Sequence, residues 1–301
     1  MSVVSVFQGK IAFYAMNSKG YFVLSAFIKE FGPERIEYIV GAQDKALAKD
    51  FYEEIKNLAA VNGIKFFDKE KIDKYLESKF DGLKFSIGWR WLIDEDVGLI
   101  VIHDSLLPKF RGFAPLVNLL IKGESIAGVT GIFASSEYDR GDIVSQRKID
   151  IEYPITILDL IKKIEPLYFD VVRDVCLNYF SNKTIKKTIQ NDDESSYSPW
   201  LDQDDYFIDW SWSAGKIRRF VDAVGFPYEG AKSKVGDDIV IIRRAEEVED
   251  VEVENRDRHI GKVIFFRDGC PVVICSEGLL SLVEVEKDGD VAQIKFRSRF
   301  C

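Results

Sequence analysis

Over its first 180 residues the sequence alternates short apolar runs with amphipathic segments, and this alternation restricts the fold more than any other feature of the 301-residue chain. Strand-length runs separated by helical-period stretches are the pattern of βαβ units, which build a parallel sheet covered by helices. Residues 10–16 (KIAFYAM) read as a buried strand stopped by Asn17, Ser18 and Gly20. Leu24, Phe27, Ile28 and Phe31 then fall at helical spacing within residues 21–31, and Gly32-Pro33 ends that helix. Residues 36–40, 64–67, 83–87, 98–102 and 128–133 read as further strands, and residues 46–62, 114–121 and 157–180 as helices, the last interrupted only mildly by Pro166. A Rossmann-like α/β domain is therefore expected over residues 1–185.

Residues 186–205 (KKTIQNDDESSYSPWLDQDD) are polar and turn-rich and read as a linker packed across a surface. Beyond it, residues 213–224 read as one short helix, and apolar runs at 239–242, 261–266, 272–275, 281–285 and 292–296 alternate with turns. Short strands at that spacing suggest a small β-rich barrel of the OB-like kind over residues 206–301.

Composition narrows the function. With 47% apolar and 30% charged residues the chain has the balance of a globular protein. A net charge of −9 disfavours nucleic acid as a partner, because that affinity is carried by clustered Lys and Arg. No apolar stretch approaches the ~20 residues that cross a bilayer, so a cytoplasmic protein without a membrane partner is expected. Cys176, Cys270, Cys275 and Cys301 form no CxxC pair and no zinc pattern, so they read as reduced thiols and no metal is expected. Only His103 and His259 can supply imidazole chemistry, and His259 sits in a charged run (ENRDRH) that reads as a solvated turn.

The segment from His103 to Pro115, HDSLLPKFRGFAP, follows a strand directly, and Pro108 and Gly112 force an irregular loop after it. His103 is thereby placed just past the carboxyl end of a parallel strand, where open α/β sheets bind ligands. Lys109 and Arg111 put positive charge beside the same crevice, suited to a phosphate-bearing substrate. A second strand containing Gly128-Val-Thr130 leads to the turn Asp139-Arg140-Gly141-Asp142, which would bring an acid to the same sheet edge. Gly88-Trp89-Arg90 lies at another strand end and is a candidate ligand contact.

HDSLLPKFRGFAP, the GVT that follows and the DRGD turn resemble the folate-dependent formyltransferases, including the 36 positions between histidine and first aspartate. IDWSWSAGKIRRFVDAVGFPYEGA, residues 208–231, is similar to the segment that enters that family's C-terminal barrel. The resemblance implies 10-formyltetrahydrofolate as the formyl donor, a Rossmann-like catalytic domain, an OB-like second domain and a catalytic Asn-His-Asp trio. Carried onto this sequence, the histidine is His103 and the aspartate Asp139, whereas the asparagine position holds Val101.

The implied reaction is attack of a neutral amine on the formyl carbon, which needs a base titrating near neutrality and stabilisation of a tetrahedral oxyanion. Histidine is the natural base, and a carboxylate can orient it and stabilise its charged form. Losing an oxyanion donor costs ~3 to 4 kcal/mol elsewhere, so Val101 demands a substitute, such as a backbone N–H, a water or protonated His103. Lacking one, the chain would be a non-catalytic folate- or sugar-nucleotide-binding protein. The loop looks most similar to the sugar-modifying branch, including the surface polysaccharide and pseudaminic acid type, which implies a UDP- or dTDP-linked 4-amino-4,6-dideoxyhexose as acceptor. Methionyl-tRNA is the alternative acceptor, and a homodimer is a possible assembly. Folate contacts then fall to Gly88, Trp89, Arg90, Arg140, Gly141 and Asp142, and acceptor contacts to Asn17, Ser105, Lys109 and Arg111. Ser105 lacks a GxSxG setting and is no nucleophile.

Overall fold

The computed structural model describes residues 9–44, 49–72, 80–93 and 98–301. The chain divides into two compact units, one of residues 1–115, 126–150 and 161–198, the other of residues 116–125, 151–160 and 199–301.

In the first unit, β1 (Ile11–Ala15), β2 (Ile36–Gly41), β3 (Lys65–Asp68), β4 (Leu83–Ile87) and β5 (Leu99–His103) are parallel. β7 (Ile126–Phe133) and β8 (Ile143–Asp150) complete the sheet antiparallel, in the order β3-β2-β1-β4-β5-β7-β8. α1 (Asn17–Phe31) lies on one face, where Phe27 packs edge-on to Phe13 at 5.2 Å and Phe13 stacks on Phe85 at 5.6 Å. The opposite face carries Ala12, Tyr14, Tyr38 and Val40, with Phe67, Phe80 and Trp89 packed against them. α2 (Tyr52–Val61) follows β2. The chain order reverses between β1 and β4, so the ends of those strands flank the switch point at which doubly wound sheets leave a crevice.

The expected α/β class is what the structure has, with local differences. α1 starts at Asn17, four residues before the apolar stripe becomes visible. β8, IVSQRKID, has no counterpart among the expected strands, because this edge strand is only partly buried and carries polar residues where a central strand would be apolar. α3 (Pro115–Lys122) and α4 (Ile157–Phe180) fall where the helical period puts them, and Pro166 lies inside α4. Of the expected helix at 46–62, residues 46–48 lie outside the described residues.

The second unit holds an antiparallel sheet in the order β10-β11-β14-β13-β12, comprising β10 (Ala231–Val235), β11 (Asp238–Val248), β12 (Val263–Arg267), β13 (Cys270–Ile274) and β14 (Leu279–Lys287). β15 (Asp290–Val291) adds to β14. The strand expected at 292–296 does not form. Instead residues 298–301 bond both sheet ends: Phe300 N donates to Gly261 O at 2.7 Å, and Cys301 N donates to Lys234 O at 3.0 Å. This segment thus closes the barrel that the strand spacing suggests. α5 (Ala214–Ala223) is capped by the Ser213 hydroxyl, which accepts from Lys216 N.

Candidate active site

β5 delivers His103 to the carboxyl edge of the sheet. Alternation along the strand turns Val101 and His103 to one face and Ile100 and Ile102 to the other. His103 is buried, and its Nε2 lies 2.8 Å from the Phe110 carbonyl. A carbonyl only accepts, so Nε2 carries the hydrogen, and Nδ1 is the nitrogen left to take a proton. Nδ1 faces Asp139 Oδ1 at 3.5 Å. The two groups, 36 positions apart in the sequence, therefore share one site, and a proton arriving on Nδ1 meets a carboxylate.

Two loops hold this pair. The Thr130 hydroxyl donates to Ser105 O at 2.6 Å and accepts from Leu107 N, which ties the loop after His103 to β7. Two short segments then pair as parallel strands, β6 (Arg111–Gly112) with β9 (Tyr197–Ser198). Gly112 has φ +108°, and a Cβ there would collide with Ser198 O, so only glycine fits. Its N–H donates to Asp139 Oδ2 at 2.7 Å. Asp139 itself has φ +56°, an uncommon left-handed conformation for a residue other than glycine.

The remaining expected site residues divide into separate settings. At the ends of β1 and β4, Gly88 has φ +63° and its missing side chain leaves room for Asn17. Trp89 packs edge-on to Tyr14 at 5.3 Å and to Trp91 at 5.4 Å, and its indole N–H is buried without an acceptor among the described residues. Arg90 pairs with Asp44 at 2.9 Å. Arg140 pairs with Glu137 and, at 3.0 Å, with Asp192, whereas Asp142 pairs with Lys187 at 2.7 Å. Lys109 is exposed.

Two expected acceptor contacts are corrected. Ser105 is fully buried and its hydroxyl donates to Lys109 O at 2.6 Å, so it stiffens the loop instead of facing a ligand. Arg111 is 0% exposed, with its guanidinium donating to Gln190 Oε1 at 2.7 and 3.2 Å and pairing with Asp192 at 2.8 Å. A cation so enclosed is already engaged by protein acceptors and is not presented to solvent. The Arg111 hydrogen bond, supported by Arg140, holds the Asp192 carboxyl below the usual carboxylate range. Gln190, Asp192 and Ser198 escape sequence reasoning, since they sit in a stretch whose composition reads as linker. Lys19 and Asp104, the residue after His103, form an ion pair. Among the described residues no three His, Cys, Asp or Glu side chains cluster as metal ligands would, and no helix is long and apolar enough to cross a membrane.

Two family models match the chain: "Formyl transferase" over residues 90–168 and "Formyl transferase, C-terminal domain" over residues 201–295. The chain belongs to the formyl transferase family. Both His103 and Asp139 lie within the first match. The chain is 32% identical over 252 residues to a bifunctional polymyxin resistance protein ArnA of Wigglesworthia glossinidia brevipalpis, covering 77% of this chain and 37% of that protein. It is 30% identical over 198 residues to a methionyl-tRNA formyltransferase of Alkaliphilus oremlandii, covering 64% of this chain and 60% of that one. The chain thus spans between about a third and three fifths of the length of these two relatives. Among solved structures, WlaRD, a sugar 3N-formyl transferase with dTDP and 5-N-formyl-THF, superposes with TM-score 0.67 at 17% identity, covering 94% of this chain and 99% of that one.

Proposed function

We propose that this formyl transferase moves the formyl group of 10-formyltetrahydrofolate to the amine of a nucleotide-linked amino sugar, a UDP- or dTDP-4-amino-4,6-dideoxyhexose. The observation that carries the proposal is the approach of His103 Nδ1 to Asp139 Oδ1 at the end of β5. In this reading the acceptor amine attacks the formyl carbon, His103 Nδ1 receives the amine proton, and Asp139 stabilises the imidazolium that results. The tetrahedral intermediate then collapses with cleavage of its bond to the folate N10, and the imidazolium returns the proton to that nitrogen of the departing tetrahydrofolate. Donation from Nε2 to Phe110 O keeps the ring in the tautomer this requires.

Residues of the chain suit a folate. The buried indole N–H of Trp89 lacks an acceptor among the described residues, which a heteroatom-rich ring would supply. Gly88, Trp89 and Arg90 would contact it from the end of β4, and Arg140, Gly141 and Asp142 from the turn after β7. Asn17 and exposed Lys109 are the acceptor contacts retained. The ligands of WlaRD, dTDP and a formylated folate, favour a sugar-nucleotide acceptor over methionyl-tRNA, and the charge of −9 points the same way.

The test is formyl transfer by the purified chain from 10-formyltetrahydrofolate to UDP- and dTDP-4-amino sugars and to methionyl-tRNA. Turnover of a sugar nucleotide, abolished by His103→Ala and by Asp139→Ala, is expected. Transfer to tRNA alone would move the chain to the other acceptor class. Folate binding with no turnover of any acceptor would make it a non-catalytic binder whose missing asparagine at Val101 is decisive.

A further inference from the structure

Resting on that proposed reaction, we infer that Gln190 is a positioning residue: its side-chain amide sets the Asp139 carboxylate against His103. Gln190 lies outside both stretches matched by the family models and 51 positions from Asp139. Its Nε2 donates to Asp139 O at 2.7 Å and to Gly141 O at 2.8 Å, the carbonyls on either side of Arg140. Its Oε1 accepts from Arg111 Nε at 3.2 Å and Nη2 at 2.7 Å. The amide orientation is fixed by the partners: two carbonyls need a donor, and a guanidinium needs an acceptor. A neutral amide of this length meets both demands, and a carboxylate of the same shape does not.

The consequence reaches the chemistry through one residue on each side. Gly112, next to Arg111, donates its N–H to Asp139 Oδ2, and Phe110, before Arg111, accepts from His103 Nε2. Gln190 therefore joins the turn that carries the acid to the loop that orients the imidazole. Asp139 holds φ +56°, a conformation that persists only where its surroundings over-determine it. Without the two bonds from Nε2, the turn at 139–141 loses the contacts that fix its carbonyls, and the 3.5 Å approach of Oδ1 to Nδ1 is no longer enforced.

Gln190→Glu isolates this role, because it retains an acceptor for Arg111 but sets a carboxylate against two carbonyl oxygens. In the full chain, amide hydrogen exchange of Gly112 is expected to accelerate at least tenfold in the variant, while that of core strand β4 stays within twofold. With 10-formyltetrahydrofolate and the sugar nucleotide, kcat is expected to fall at least tenfold and KM for either substrate to change less than threefold. Gln190→Ala should show the same split with a lower melting temperature, since Arg111 then loses its acceptor as well. Unchanged Gly112 exchange in Gln190→Glu overturns the inference whether or not the wild-type chain turns over. A wild-type chain with no turnover, but with the exchange effect present, sinks the proposed reaction and leaves the clamp standing. Wild-type turnover with an unaltered kcat in Gln190→Glu sinks the positioning role alone.

Discussion

Replacing Asp222 by asparagine should stabilise the second unit, and only above the pH at which the carboxyl ionises. Asp222 lies on α5 with its side chain 15% exposed, and burial pushes its pKa from 3.8 up to about 6. Arg218 opposes the shift from 3.9 Å, and Asp159 reinforces it to a lesser degree. The folded state thus holds the proton more tightly than the unfolded chain does. The contribution to stability is complete below the unfolded value of 3.8 and is lost as pH rises through about 6. The gap between those values, at about 1.4 kcal/mol per pH unit, sets a ceiling of about 3 kcal/mol, and solvent screening at a partly exposed carboxyl reduces this to about 1 to 2 kcal/mol. An asparagine side chain has no charge to desolvate, so Asp222→Asn escapes the loss. Urea unfolding of both chains at intervals from pH 4 to pH 8 would read it as a stability difference, variant minus wild type, that grows between pH 4 and 7 and then levels. The difference in melting temperature across that window should be about 4 °C. A difference that is constant across the range would refute the placement of Asp222 in a desolvated site.

Three other outcomes follow from the site and the core. Val101→Asn should raise kcat for formyl transfer at least tenfold, since an added oxyanion donor is worth up to ~3 to 4 kcal/mol, and no gain would mean that another group already fills the role. Arg111→Met should destabilise the chain by about 1 to 2 kcal/mol in denaturant titration while leaving KM for the sugar nucleotide within about twofold, because the buried guanidinium serves the Gln190 amide and the exposed Asp192 carboxylate. Cys270 and Cys301 should react with a thiol reagent in the native protein, whereas Cys176 and Cys275 should react only after unfolding; burial raises the Cys176 thiol well above its usual range and the Cys275 thiol to about 12.

What can be read from the sequence follows from how each signal is encoded. The parallel sheet is legible because its strands are buried on both faces, so IAFYA and LIVIH appear as nearly unbroken apolar runs. The partly buried strand IVSQRKID carries no such run, and the closing segment at 298–301 is too short to show a period. His103 is legible as a strand-end residue in a chain with two histidines. Arg111 is misread because a sequence shows that a cation follows a strand, but not whether the next loop folds over it. That depends on Gln190, Asp192 and Tyr197, which lie nearly 80 positions or more away and look like linker.

The geometry around His103 also bears on what Asp139 would do in the proposed reaction. In a relay where the carboxylate orients the imidazole, the acid would bind the nitrogen that already carries hydrogen. Here that nitrogen is taken by Phe110 O, and the acid faces the nitrogen that is bare in the neutral ring. In the proposed reaction Asp139 would therefore gain its interaction only when the proton arrives, which is stabilisation of the charged product of proton transfer and not of the resting base. An acid used this way must be held by something other than its partner. Gly112 N–H supplies one such restraint on the carboxylate and Gln190 two on the flanking carbonyls, so the strained turn keeps its aim while the imidazole is still neutral.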